Sequence, residues 1–445
     1  MTARAWAVPL FFALLTPQQR DLNVQSFDHV WTTIRDQHWD PKLGGLDWPA
    51  VRDELRPRIE QADSMDKARA VLNDMMKRLG QSHFGIIPAE VYKDIDKKPD
   101  DSSSGGDKKD GEQGQKKDVD KKDAEDGSTG IDVRVLTDKV VVTSVEADSP
   151  ARAQGVRPGW QIAKIKGIEI APLIDKISAT FKDSTLRDLT LTRVFLGRLS
   201  GKVGTTIAVE LLDGDDKTVA LELARVKPRG VKARFGYLPP LYVWTDSRKL
   251  EGNIGYVAFN VFLDPANVMA RFEEAVRSCL RCDGFLIDLR GNPGGIGAMA
   301  MGMAGWFIDT PDQRLGTMYT RQAPLKFVVN PRLETYRGPL AILVDGCSGS
   351  TSEVFAGGLK DLKRARIFGT RTAGAALPSV LERLPNGDGF QHAIANYISE
   401  GGKPLEGAGV IPDVEVTLTR DALLQGKDSV VEAAVRWIRK TKEKP

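Results

Sequence analysis

From Ser26 to Leu79, apolar residues recur at the spacing of helix faces. Phe27, Val30, Trp31 and Ile34 form one run, and Trp48, Val51 and Leu55 a second that opens on Pro49. Ala68, Val71, Leu72, Met75 and Leu79 form a third, which stops at Gly80. The pattern predicts a helical domain over residues 21–93, and its last helix runs straight into Gln81-Ser82-His83-Phe84-Gly85. Between Asp96 and Thr129 only Val119 and Ala124 are apolar, apart from Pro99 and the glycines. Such a segment buries too little apolar surface to offset its ordering entropy, so 94–129 reads as a disordered charged linker. Over 130–230 the period shortens to two, at Ile131–Val135, Val140–Val145 and Thr206–Leu212, which predicts a β-rich domain. Over 231–445 strand-like runs (Ile254–Phe259, Gly284–Leu289, Leu340–Val344, Arg366–Phe368) alternate with helical ones (Pro265–Leu280, Gly297–Phe307, Ser352–Asp361). That alternation predicts an α/β layered core with a mainly parallel sheet.

Composition adds limits. At 445 residues the chain should hold two or three domains. Its 63 basic and 60 acidic residues leave a formal net charge of +3, which gives no reason to expect nucleic acid or an anionic membrane as partner. Arg4 and the apolar run Ala5–Leu15 are too short for a bilayer span but fit a signal peptide, read as residues 1–17. The chain is therefore expected in the periplasm or outside the cell, with a retained N-terminal anchor as the other reading. Of three cysteines, Cys279 and Cys282 form a Cys-x-x-Cys pair that fits either a disulfide or two semi-buried thiols. No further ligands stand at metal-binding spacing, so neither metal nor cofactor is expected.

The chemistry lies in two turns. The strand Phe285–Leu289 runs into Arg290-Gly291-Asn292-Pro293-Gly294-Gly295, where backbone N–H groups at a sheet edge could hold an oxyanion. The strand Leu340–Val344 runs through Asp345-Gly346-Cys347-Ser348-Gly349-Ser350 into a helix starting near Ser352. A hydroxyl on such a strand-to-helix turn stands clear of its backbone, close to the positive end of the helix. Alone, either turn also reads as structure, with Ser352 and Glu353 as helix caps.

Together they resemble the C-terminal-processing (tail-specific) serine peptidase family. Asp288-Leu289-Arg290-Gly291-Asn292-Pro293-Gly294-Gly295, followed by Ser348-Gly349-Ser350-Thr351-Ser352-Glu353, matches the family's two motifs, and the domain order matches too. The likeness spans nearly the whole chain except the signal and the charged linker. Ser149-Pro150-Ala151, Gly155, Gly159 and Gly167 resemble a bacterial PDZ domain, with Trp160 where members usually carry Asp. The resemblance implies an α/β multidomain fold whose core sheet is crotonase/ClpP-like. It implies polypeptide substrates, with Gly130, Ile131, Asp132 and Val133 as the peptide-carboxylate loop.

It also implies that Ser350 is the nucleophile. Many members supply a lysine in a Gly-x-x-Thr-x-Gly-Lys context, but here that position is Ala375, and Lys360 and Lys363 should point away along the helix. Leu79-Gly80-Gln81-Ser82-His83 is similar to the corresponding segment of the histidine-using, tricorn-core-like branch, with Gln81 in place of Asp. Leu405-Glu406-Gly407-Ala408-Gly409-Val410-Ile411-Pro412-Asp413 matches that branch's glutamate motif. The implied tetrad is Ser350, His83, Ser82 and Glu406, with Thr351 and Gly294 or Gly295 supplying the oxyanion hole. His83 would act from an ordinary pKa near 6.5. His29 and His38 are expected on the surface of the helical domain, and His392 in a structural role. The rival readings are a catalytically inactive peptide- or ligand-binding protein on the same fold, and a crotonase-like acyl-group enzyme.

Overall fold

The computed structural model of the chain describes residues 15–92, 126–182 and 184–442. The export signal falls almost wholly on residues outside these, as does most of the charged linker. Three helices, Pro17–Gln37, Trp48–Glu60 and Met65–Lys77, pack Phe27, Val30, Leu55, Val71, Leu72 and Met75 into one cluster. The first helix begins earlier than its apolar face suggests, because Thr16 caps it through its hydroxyl and Pro17 pre-sets its first turn. His38 departs from expectation: it is 1 % exposed, its ring stacked against Trp39 and Phe84 and hydrogen-bonded through Nε2 to Gln81 Oε1 at 2.9 Å.

The middle body, 126–226, carries a sheet containing Ile131–Leu136, Lys139–Val145, Gln161–Ile165, Thr206–Leu212 and Thr218–Ala224. The helix Arg187–Leu199 packs Leu191, Phe195 and Leu199 on it. The end of the predicted linker is corrected here: Asp126–Gly127 pairs with Gly201–Lys202, and Ser128 bridges Val226. The partners lie far along the chain, so local composition carries no trace of the pairing.

The core sheet has the strand order Thr245–Leu250, Ile254–Phe259, Gly284–Asp288, Leu340–Val344, Arg366–Gly369, Val414–Glu415, parallel throughout except for the first, antiparallel strand. Alternate side chains separate onto its two faces. Val257, Phe259, Phe285, Ile287, Leu340 and Ile342 meet the helices Pro265–Arg277, Gly297–Ala304 and Thr351–Asp361. Tyr256, Leu286, Ala341 and Leu343 meet the C-terminal helix Ser429–Lys442. Both faces are covered, which is why the strands read as continuous apolar runs. A disulfide joins Cys279 to Cys282 at the end of the helix Pro265–Arg277.

The helical body is joined to the core by a shared hairpin. Gly85–Ile87 pairs antiparallel with Gly389–Gln391, and Leu384 and Phe390 enter the helical body's apolar cluster. Arg69 clamps the fully buried Asp388 with both Nε and Nη2, at 3.0 and 2.8 Å. The chain from Gln81 to Phe84 is thereby suspended between two packed regions.

Candidate active site

The two glycine- and serine-rich turns are stitched into one unit. Asp345 Oδ1 accepts the N–H groups of Gly291 (2.9 Å) and Cys347 (3.0 Å). Ser348 Oγ donates to Leu289 O at 2.8 Å, and Gly349 N and Ser352 Oγ both donate to Asn292 O. At the apex Ser350 takes φ 51°, ψ −117°, a conformation that a non-glycine residue holds only when its surroundings enforce it. Gly294 (φ 97°) sits against it: a Cβ there would come within 2.6 Å of Ser350 Cβ and 2.7 Å of Thr351 N. Gly294 N–H is already committed to Asn292 Oδ1 at 3.0 Å, whereas Gly295 N–H and Thr351 N–H have no acceptor among the described residues.

Glu353 anchors this turn from below. Buried completely, its Oε2 accepts Ser350 N–H (2.9 Å) and Ala375 N–H (3.0 Å), and its Oε1 accepts Thr372 Oγ–H (2.6 Å) and Gly374 N–H (2.8 Å). Burial pushes its carboxyl up to about 7, against the pull of those four donors. Ser350 N–H also reaches Ala375 O at 2.8 Å. Ala375 thus lies beside the serine through its backbone. Lys360 turns away, its Nζ 3.1 Å from Asp413.

A second cluster forms where the helical body meets the core. Glu406 Oε1 accepts Ser82 N–H at 2.7 Å, and its Oε2 accepts Ser82 Oγ–H at 2.8 Å and Ala376 N–H at 2.9 Å. Ser82 Oγ lies 2.7 Å from His83 Nδ1. With its own proton given to Glu406, Ser82 must accept from Nδ1–H, which leaves Nε2 as the unprotonated nitrogen. His83 holds φ 62°, another strained backbone at the site. Its pKa is lowered to about 4, first by burial and then by the positive charge of Arg193, so it is not the ordinary imidazole of the sequence reading. No hydrogen bond joins His83 to Ser350.

Of the four residues Gly130–Val133, the last three open the strand Ile131–Leu136 of the middle body, and Gly130 (φ 79°), just before it, abuts Ser149. Next to them, Arg134 donates from Nε to Asp345 Oδ2 at 2.7 Å and from Nη1 to Asp132 at 3.0 Å. Arg134 holds the Asp345 carboxyl below its usual range in spite of burial. Glu353, Thr372 and Asp345 were not singled out in the sequence as organisers, although each stands inside a motif that was. Arg134 and Arg193 carry no local signal at all. Among the described residues no His, Cys, Asp or Glu group is arranged to hold a metal ion, and no helix is long and apolar enough to cross a membrane.

Residues 253–416 match peptidase family S41, and residues 23–77 match the tricorn protease C1 domain. A carboxy-terminal-processing protease of Bartonella bacilliformis is 26 % identical over 65 % of this chain and 61 % of its own length. A probable CtpA-like serine protease of Staphylococcus aureus is 25 % identical over 64 % of this chain and 52 % of its own. The chain therefore spans between half and two thirds of these relatives. In fold it is similar to the photosystem II D1 C-terminal processing protease (TM-score 0.55, 20 % identity, 94 % of this chain and 99 % of that one). Mature CPAF gives a TM-score of 0.61 at 13 % identity, covering 96 % of this chain and 97 % of that one. The tricorn protease gives 0.52 at 18 %, covering 95 % of this chain and 37 % of that one.

Proposed function

With residues 253–416 carrying the core of peptidase family S41, we propose that the chain is a serine endopeptidase that cleaves polypeptides through an acyl-enzyme on Ser350, with His83 as general base. One observation carries this reading. The consecutive amides of Ala375 and Ala376 donate to Glu353 and to Glu406, so the anchor of the nucleophile turn and the anchor of the histidine are tied to adjacent residues. Two unrelated structural carboxylates would have no reason to converge on one dipeptide from chain positions 353 and 406.

In the reaction Ser350 Oγ attacks the scissile carbonyl carbon while its proton passes to His83 Nε2. That proton moves to the leaving amine as the C–N bond breaks. Water then repeats the sequence on the ester, releasing the acid and restoring the hydroxyl. The tetrahedral oxyanion is met by the N–H groups of Thr351 and Gly295, Gly294 N–H being already engaged. Ser82 and Glu406 hold the imidazole in the tautomer that exposes Nε2. His83 and Ser350 make no hydrogen bond at rest, so this contact has to form when substrate binds.

The middle body we read as a PDZ domain whose Gly130–Val133 loop captures the substrate peptide or its terminus, and the core as a crotonase/ClpP-like sheet. The disulfide Cys279–Cys282 fits an exported protein, since such bonds persist in oxidising compartments. The absence of a hydrogen bond between Ser350 and His83, with Ala375 where many members carry the lysine, favours an inactive binding protein. A fluorophosphonate probe separates the two readings, because only an activated serine is labelled. The peptidase reading expects labelling and proteolysis of a loosely folded protein, both lost in Ser350→Ala. Equal proteolysis by Ser350→Ala would sink it.

A further inference from the structure

The helix Arg187–Leu199 of the middle body lies directly over the nucleophile turn. Cys347 Sγ contacts Asp188 O at 3.8 Å, and a Cβ on Gly346 would come within 3.0 Å of Asp188 Cβ. Leu189 joins Cys347, Ala373 and Ala375 in one small apolar cluster, with Leu186 packed against it. One turn further along the same helix stands Arg193. Its neighbours are chemical parts of the site: the charge of its guanidinium is felt by His83 and by Cys347, three residues before Ser350.

Arg193 is unlike the other cations near the site. Arg134 is paired with Asp132 and Asp345, Arg187 with Asp188 and Asp138, and Arg290 with Asp288 and Asp428. Arg193 has neither an ion-pair nor a hydrogen-bond partner among the described residues. Cys347 cannot serve as its counter-charge, because burial pushes that thiol up to about 12 and keeps it neutral. The Arg193 side chain reaches solvent, yet the surrounding protein strips part of its hydration and lowers its own pKa. A partly desolvated cation without a counter-ion, on a helix that covers the Ser350 turn and near enough for its charge to act on His83, lacks one component: an anion brought by something that binds there.

We propose that Arg193 is a specificity-determining residue whose guanidinium receives a carboxylate of the bound polypeptide close to the scissile bond. This rests on the serine-peptidase reading of Ser350 and His83. The carboxylate is either an Asp or Glu side chain flanking the cleaved bond or the free chain terminus. The pairing has a second consequence. Unpaired, Arg193 adds to burial in holding the His83 pKa down, so a substrate carboxylate that neutralises it makes His83 a stronger base as the substrate arrives. Substrates with that group are thus favoured in both binding and turnover.

The test uses the full chain and a fluorogenic peptide that the wild type cleaves, in matched versions. In one arm Asp replaces Asn at successive positions on either side of the cleaved bond. In the other the C-terminus is the free acid or the amide. The expected result is a preference of about tenfold in kcat/KM for the carboxylate version in one arm, which identifies the source. In Arg193→Gln the carboxylate-to-neutral ratio collapses toward one, and Arg193→Lys restores part of it. The same peptide pairs are titrated against Ser350→Ala protein, so the binding preference is read even if no peptide is turned over. Failure of fluorophosphonate labelling would remove the peptidase reading while leaving that binding comparison intact. A carboxylate preference absent from both arms, or one that survives undiminished in Arg193→Gln, overturns the proposal.

Discussion

The turn that carries Ser350 and the turn that carries His83 are both strained, and each is held by a glutamate, Glu353 fully buried and Glu406 half-buried, but they are built from different distances along the chain. Ser350, Glu353, Thr372 and Ala375 lie within 26 positions of one another and inside one layered core. His83 and Ser82 reach their carboxylate, Glu406, only because the helical body is docked through Gly85–Ile87 and the Arg69–Asp388 clamp. The backbone of Ser350 is therefore fixed by hydrogen bonds from within the core, whereas the setting of His83 is conditional on an interface. Separate disturbance of the two glutamates should expose that difference.

Glu406→Gln should give the largest change. The amide can still accept from Ser82, but it presents one acceptor oxygen in place of two and no charge to stabilise a protonated His83. We expect kcat to fall by about 10²–10⁴-fold with little change in thermal stability, read from peptide kinetics alongside a melting curve. Glu353→Ala should do the reverse. It leaves the N–H groups of Gly374 and Ala375 and the Thr372 hydroxyl buried without their acceptor, and Ser350 N–H with Ala375 O alone, for a loss of about 3–5 kcal/mol in urea unfolding. If the two variants behaved alike in both measurements, the division between a core-built and an interface-built half would be wrong.

The pH responses sharpen the same contrast. Glu353 has a folded pKa raised from 4.5 to about 7, so its contribution to stability is fully present below the unfolded value. It is lost as pH rises through about 7. Glu353→Gln should flatten that part of the stability profile. His83, depressed to about 4, remains unprotonated through most of the acid range. The acid limb of kcat/KM should therefore fall near pH 4 rather than 6.5, and Arg193→Gln should move it upward toward 6.5. An acid limb at 6.5 in the unmodified chain would mean that the burial of His83 is relieved before catalysis.

The asymmetry also explains what could be read from the residues alone. The strands Ile254–Phe259, Gly284–Asp288 and Leu340–Val344 were legible because both sheet faces are covered, and continuous apolar runs bounded by glycine turns have few other uses. Ser350 and the Gly294-Gly295 turn were legible as motifs on the ends of those strands. The burial of His38, the pairing of Asp126–Gly127 and the position of Arg193 over the site were not. Each depends on a partner that the chain brings from another body, and periodicity records only which face of an element is apolar. Glu353 lies between these cases. Its place in the serine motif was visible, but three of its four hydrogen bonds need the return of Thr372–Ala375, which no local pattern announces.

The smallest effect tests whether the surrounding turn enforces the Ser350 conformation. Ser350 occupies φ 51°, where a Cβ is unfavourable and glycine is not. Its N–H is held by Glu353 and Ala375 O, and Gly294 packs against its Cβ, so the surrounding turn keeps the conformation whatever residue stands there. Ser350→Gly should then raise stability by about 1 kcal/mol, with the glycine's greater unfolded-state entropy opposing part of the relieved strain, while abolishing labelling and proteolysis. His83→Gly offers the matching measurement at the other strained residue. There the relief should be offset by the lost contact with Ser82, so its net change should be smaller or of opposite sign. A gain at position 350 without one at 83 fits a turn whose strain is imposed by the core. Equal gains would show that the interface enforces its histidine as firmly as the core enforces its serine.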